Sequence, residues 1–303
     1  MSKIYDVIVL GAGPAGLAAG LYAGRSRLSV LIVEKGQDGG QISITDEIEN
    51  YPGQVVDQPE SGPSLIARMT EQAKKFGAER VSDTIKEVSL EGEVKVLKGE
   101  KGEYQAKNII IATGAHARPI GCKGEAEFLG RGVSYCAVCD GPFFKEKTAA
   151  VVGGGSAALQ DALYLAGICS KVYLIHRRDT FRAEKSLIDQ VMAEENIECV
   201  MESRVTALIG EKKLTELEVT NLSGEKKTLV ADGLFVAIGM EPHNEVFRDL
   251  VDLDEAGYVI AGENCKTRTP GVYAAGDCRT KTVRQLTTAA ADGTVCGLVC
   301  KAV

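Results

Sequence analysis

An α/β fold built from two copies of one strand–turn–helix–strand unit is what the sequence predicts, on three observations. An apolar run enters a glycine-rich turn twice, at IYDVIVLGAGPAG and again at TAAVVGGGSAALQ. The two turns share a register, with Gly11, Gly13 and Gly16 of the first matched by Gly153, Gly155 and Ala158 of the second. Each copy then continues alike, through a helical stretch, a second apolar strand and a set of short polar segments, to a third apolar strand.

The chain of 303 residues, 45% hydrophobic and 25% charged, is long enough for about two domains with full cores. Net charge is −7, with no block of about five or six like charges, so nonspecific binding to nucleic acid or to an anionic membrane surface is not expected. The opening MSKIYDVIVLGAG passes straight from a charged start into a short apolar run and lacks the features of a secretory leader. No run approaches the roughly 18 uninterrupted apolar residues of a membrane span. The expected location is cytoplasmic.

Taken in order, residues 4–10 read as a strand, Gly11 to Gly16 as a turn opening a helix that runs to about Arg25, and SVLIVE as the second strand. Polar, alternating segments around residues 81–107 read as a small antiparallel meander before NIIIATGA returns to the main sheet. In the second copy KVYLIHRR follows the helix, VTALIG, LTELEVTN and KKTLVADG form the meander with a turn at LSGE, and GLFVAIGM closes the sheet. TGAHARP and GMEPHN read as chain crossings between domains. GVYAAGDC and RQLTTAAADGTVCGLVCKAV supply a strand, a turn and a helix, which the first domain lacks.

The turns suit dinucleotides. The first glycine permits a tight turn, the second lets backbone approach a pyrophosphate, and the third small residue lets helix and strand pack closely. The pyrophosphate then meets free N–H groups at the helix start. One such turn is weak evidence, and two in the same context are strong. Glu34 ends the second strand of the first copy, where a carboxylate can accept from a ribose hydroxyl. The same offset in the second copy reaches His176, followed by Arg177, Arg178 and Arg182. Guanidinium groups bind a 2′-phosphate that a carboxylate would repel, so this copy favours NADPH over NADH. The competing reading is a solvated basic strand end.

Between the copies lies CAVCDG, Cys136 to Gly141. Zinc would want four Cys or His ligands, yet there is no second C-x-x-C and the only histidines are His116, His176 and His243, so no metal is expected. A structural staple across so short a loop would constrain the unfolded chain little. Redox exchange fits better, since a thiolate at a helix start is stabilised and its neighbour can resolve a mixed disulfide. Cys169, Cys199, Cys296 and Cys300 read as small core residues.

With that pair placed just before the second copy, the sequence resembles the low-molecular-weight thioredoxin reductases over essentially its whole length. The resemblance rests on GAGPAG, GGQI and ENYPG (Gly39 to Gly53), ATGA (Ala112 to Ala115), CAVCDG, HRRDTFRA, and AAGD followed by RQLTTAAADG. It implies two Rossmann-like dinucleotide-binding domains, an NADPH domain over residues 116–243 inserted into a discontinuous FAD domain of residues 1–115 and 244–303. FAD would lie on Gly11, Gly13, Pro14, Ala15, Gly16, Glu34, Gln41, Asn50 and Thr113, with Asp277 at the ribitol and Arg284 and Gln285 beside the isoalloxazine. NADPH would take Gly153, Gly155, Ser156, Ala158, His176, Arg177, Arg178 and Arg182.

The implied activity carries electrons from NADPH through FAD to the Cys136–Cys139 disulfide and on to thioredoxin. Cys139 would face the flavin, Cys136 attack the partner disulfide, and Asp140 serve as acid and base; Asp140 could instead stabilise the helix start. The family likeness further implies a homodimer and an inserted domain that rotates about crossings near residues 114–118 and 241–245. The second turn departs from the family's usual G-G-G-D-S-A with paired glutamates: Ser156 and Ala157 replace the acid and the hydroxyl, and Gln160 and Asp161 the glutamates. A same-fold reductase fed by ferredoxin or another donor, or acting on a different disulfide partner, is the alternative.

Overall fold

The computed structural model describes residues 3–45, 47–54, 58 and 60–300. The chain divides into two compact units, Met1–His116 with Glu241–Val303, and Ala117–Met240.

In the first unit, β1 (Ile4–Leu10) leads into α1 (Pro14–Arg25) and β2 (Val30–Glu34). Pro14 at the first helical position has its φ already set and gives up no needed N–H. Helix α2 (Gly62–Lys75) starts at Ser61, whose hydroxyl accepts from the Ser64 amide at 3.3 Å. Strands β3 (Ala78–Ser82), β4 (Ile85–Ser89), β5 (Lys95–Gly99), β6 (Glu103–Ile111) and β7 (Ala115–Ala117) follow. The main sheet runs β3-β2-β1-β6-β5-β4. The polar stretch expected as a meander is one only from β4 to β6, because α2 serves as a crossover that lays β3 parallel to β2.

The second unit contains β8 (Val133–Ser134), α3 (Ala137–Asp140), β9 (Thr148–Val152), α4 (Ser156–Ala166), β10 (Lys171–Ile175), α5 (Lys185–Ala193) and β11 (Ile197–Val200). The antiparallel meander is β12 (Ser203–Gly210), β13 (Leu214–Asn221) and β14 (Lys226–Val230), and β15 (Gly233–Val236) returns to the parallel sheet β11-β10-β9-β15-β8. The central strands β9, β10 and β15 are apolar and almost wholly buried, as a parallel sheet covered on both faces requires.

Strand β16 (Met240–Pro242) pairs with β7, so the two crossings form a short ribbon. The first unit is then completed by β17 (Val272–Ala274), parallel to the end of β6, and by α6 (Leu286–Val299). Helix α6 lies on α1 with Cys296 and Cys300 in the shared core, beside Ala15, Ala19 and Ala23. The opposite face of the sheet is filled by residues such as Leu97, Phe247 and Val259.

Candidate nucleotide sites and the redox disulfide

The first turn is shaped by backbone on backbone. Gly11 takes φ +111°, and a Cβ there would lie 2.3 Å from the Ala112 carbonyl oxygen. At Gly16 a Cβ would lie 1.9 Å from the Gly11 oxygen, so helix and turn meet at a distance only glycine allows. Gly13, by contrast, faces nearly open space and caps α1 in extended conformation. Pro14, Ala15 and Gly16 follow as the first turn of α1, the anion-favouring end of that helix. The Glu34 carboxylate accepts from the Ala12 amide and, through its other oxygen, from the Gly36 amide, both at 2.8 Å. It ties the turn to the end of β2 while keeping acceptor capacity for a hydroxyl.

Other expected residues gather in the same unit. The Gln41 amide donates to the Ala115 carbonyl, Asn50 reaches Gln285 at 3.4 Å, and the Thr113 hydroxyl reaches the Asn244 side chain at 3.0 Å. Buried Asn244 also donates to the Gly257 and Cys278 carbonyls, which fixes its orientation. Gln285 and Thr288 complete a capping box at the start of α6. The Arg284 guanidinium lies 4.2 Å from the Tyr258 ring centroid. Asp277 sits on the turn Gly276–Cys278, and its Oδ1 is buried without a hydrogen-bond partner among the described residues. Burial raises its carboxyl above the usual range, opposed by Lys281 and Arg284. A buried oxygen with no partner is expensive, and a hydroxyl-rich ligand would satisfy it.

In the second unit Gly155 caps α4, Ser156 and Ala157 stand exposed at its start, and Ala158 is fully buried against Gly153. His176 is buried, its ring packed on Gly154, where a Cβ would lie 2.1 Å from the ring, and stacked on Phe181. Its Nε2 lies 3.1 Å from the Thr180 carbonyl oxygen, and burial lowers its pKa. The ring supports the turn from beneath, a contact the sequence did not reveal. The Arg182 amide donates to the Gly154 carbonyl, closing the loop over the turn. Arg177 and Arg182 are exposed and Arg178 half-buried, and none of the three guanidinium groups is held by an ion pair among the described residues.

The Cys136–Cys139 disulfide is formed, with Cα atoms 5.3 Å apart. Cys136 caps the short α3, its sulfur accepting from the Cys139 amide at 3.3 Å, and its own amide donates to the Ser134 hydroxyl at 3.0 Å. Asp140 ends α3; burial raises its carboxyl, partly offset by a hydrogen bond from Ser134. Cys169, Cys265, Cys278, Cys296 and Cys300 are buried, whereas Cys122 and Cys199 are half-buried. His116 and His243, far apart in sequence, stack at the crossings with ring centroids 4.3 Å apart. Among the described residues no group of three or more His, Cys, Asp or Glu is arranged to hold a metal, and no helix is long and apolar enough to cross a membrane.

Two glycine turns with a C-x-x-C disulfide find their match in the family described as pyridine nucleotide-disulphide oxidoreductase, which aligns with residues 5–293. The chain belongs to that family. A relative in Peptoclostridium acidaminophilum, a thioredoxin reductase, is 46% identical over 302 residues, covering 97% of this chain and 95% of its own. Among solved structures, the thioredoxin reductase of Streptococcus pyogenes is 40% identical with TM-score 0.94, covering 99% of this chain and 98% of its own. A ferredoxin-flavin thioredoxin reductase from Clostridium acetobutylicum is 28% identical with TM-score 0.52, covering 99% and 98%. As a member of the pyridine nucleotide-disulphide oxidoreductases, the chain has the α/β fold with two dinucleotide-binding units that its repeated turns predicted.

Proposed function

We propose that the chain is a thioredoxin reductase that takes electrons from NADPH and delivers them, by way of FAD, to the Cys136–Cys139 disulfide and then to oxidised thioredoxin. The observation that carries this reading is the disulfide's place in the unit whose strand β10 is followed by three arginines that make no ion pair among the described residues. The first turn and the partnerless Asp277 Oδ1 fit FAD in the other unit, with Gly11, Gly13, Pro14, Ala15, Gly16 and Glu34 toward the adenosine and pyrophosphate. Gln41, Asn50, Thr113, Arg284 and Gln285 would hold the remainder. The second turn, Gly153, Gly155, Ser156 and Ala158, fits the NADPH pyrophosphate, His176 supporting it from below and Arg177, Arg178 and Arg182 reading the 2′-phosphate. A homodimer, a cytoplasmic location, and domain limits of 1–115, 116–243 and 244–303 belong to the same reading.

When bound, FAD supplies two-electron exchange between a nicotinamide hydride and a disulfide. Two electrons and two protons convert the Cys136–Cys139 bond into two thiols. The Cys136 thiolate attacks the partner disulfide, forming a mixed disulfide and releasing one partner thiolate. Cys139 attacks Cys136, restores the internal bond and frees the second partner thiolate. Asp140, adjacent to Cys139, delivers and recovers the proton these steps exchange. Over one cycle NADPH, a proton and the partner disulfide become NADP⁺ and the partner dithiol.

Reduced ferredoxin is the competing donor, favoured by the exposed Ser156 and Ala157 where the family usually carries an acid and a hydroxyl. An anaerobic titration of the purified protein with NADPH, NADH or reduced ferredoxin, following flavin absorbance, decides between them. Bleaching by NADPH and recovery on adding thioredoxin disulfide is expected; flavin that stays oxidised with NADPH yet bleaches with ferredoxin would overturn the nicotinamide assignment.

A further inference from the structure

Helix α6 is apolar through most of its length, yet it carries Asp292, which is 8% exposed. Its Oδ2 accepts from the Gly276 amide at 3.0 Å, from Arg279 Nε at 2.9 Å and from Lys281 Nζ at 2.8 Å, while Oδ1 accepts from the second arm of the same guanidinium at 2.8 Å. Arg279, also 8% exposed, donates from its third nitrogen, Nη1, to the Ala261 and Thr280 carbonyls. A buried group of one carboxylate and two cations is rarely kept for stability, since well-packed apolar residues often do as well or better. Its value here is geometric. Every hydrogen bond to the Asp292 carboxylate comes from, or from just after, the turn Gly276–Cys278, and the residue inside that turn is Asp277, whose Oδ1 has no partner among the described residues. Gly276 takes φ +78° and would place a Cβ 2.8 Å from that of Ala15, so the turn is pressed against the start of α1, where the first glycine turn delivers its ligand.

We propose that Asp292 is a positioning residue: by holding the Gly276 amide and the Arg279 guanidinium it fixes the turn so that Asp277 presents a buried carboxylate oxygen to a polyhydroxyl chain, the ribityl portion of a flavin. This rests on the FAD assignment above. A carboxylate displaced by about 1 Å loses much of the value of its hydrogen bond, so the effect of Asp292 on flavin affinity must pass through Asp277.

The test is a double-mutant cycle on the full chain, stripped of FAD and titrated with FAD by flavin fluorescence, with thermal unfolding as the check on folding. Asp277→Asn and Asp292→Asn are each expected to weaken FAD binding about ten- to a hundredfold, and the double variant to be no weaker than the poorer single one within about threefold. A purely structural Asp292 would instead give multiplied losses, which would overturn the proposal, as would unchanged affinity in Asp292→Asn. Should Asp292→Asn fail to fold, Asp292→Glu keeps the charge while moving the oxygens, and the same non-additivity with Asp277→Asn is required. Wild-type protein that takes up no FAD would overturn the flavin assignment itself, and normal affinity in Asp277→Asn would overturn only the placement of Asp277; the proposal falls in either case.

Discussion

Replacing Arg178 by Gln separates the two readings of the basic strand end. None of the three guanidinium groups gives up an ion pair among the described residues when removed, so the fold should lose little, within about 0.5 kcal/mol. The cost falls on the ligand. A charge-assisted bond to a phosphate contributes about 1.5–3 kcal/mol, and each 1.4 kcal/mol is about tenfold in affinity. The KM for NADPH should therefore rise about 10- to 150-fold, while the KM for NADH, which has no 2′-phosphate, stays within about twofold. Arg177→Gln and Arg182→Gln, tested alongside, should lose affinity in the same nucleotide-selective way, because all three side chains leave one strand end and its following loop. Steady-state reduction of thioredoxin disulfide with each nucleotide reads this out. Equal loss with both nucleotides, or no loss with either, would refute the idea that these side chains read a 2′-phosphate and leave them as a solvated basic face.

Gly16→Ala puts a methyl 1.9 Å from a backbone oxygen that cannot swing away; a loss of at least about 3 kcal/mol in urea unfolding is expected, at or above the usual range for overpacking, and wild-type stability would contradict the contact. Asp161 on α4 has its carboxyl raised to about 6 by burial, from 3.8. The unfolded chain therefore releases this proton first, and stability falls as pH rises from about 4 to about 6. Asp161→Asn should thus raise stability by about 1–3 kcal/mol at pH 7, the lower end allowing for solvent screening, and leave it unchanged near pH 3; a gain at pH 3 as large as at pH 7 would rule out burial of the charge as its cause. Finally, Cys169, Cys265, Cys278, Cys296 and Cys300 are buried, so alkylation with mass mapping should label Cys136 and Cys139 rapidly only after reduction, and the five buried thiols only on unfolding.

What the sequence made legible were demands of the backbone. A turn that must reverse sharply, admit an anion and let a helix settle on a strand leaves glycine few substitutes, so Gly11, Gly16 and Gly153 are readable from the sequence. Helix α2 was missed although Ser61, Pro63 and the apolar spacing of Leu65, Ile66, Met69 and Ala73 signalled it. Glu34 was placed correctly at its strand end, but its bonds to Ala12 and Gly36 depend on how the turn folds back. His176 was singled out because it holds the place of Glu34 in the second copy, while the direction of its ring follows from its packing beneath Gly154. The Asp292 cluster left only a faint trace, an acid set among small apolar residues of a helix, which ought to prompt a search for a cation. Which cation it meets is decided by a turn that brings Arg279 back against the helix.

Strand β6 changes partners along its length: Glu103 to Ala106 pair with the meander, whereas Ile109 to Ile111 wait for β17. On a ribosome those three isoleucines emerge long before residues 272–274, and the core beneath α1 stays open until α6 arrives to cover it. The contiguous stretch Ala117–Met240, by contrast, has all its strands once residue 240 has emerged. Synthesis thus imposes an order, in which the inserted unit can become protease-resistant while the one built from both chain ends still displays an unpaired sheet edge. A nascent chain halted near residue 250 would carry one finished unit and one aggregation-prone half, and a chaperone would be expected to bind the half.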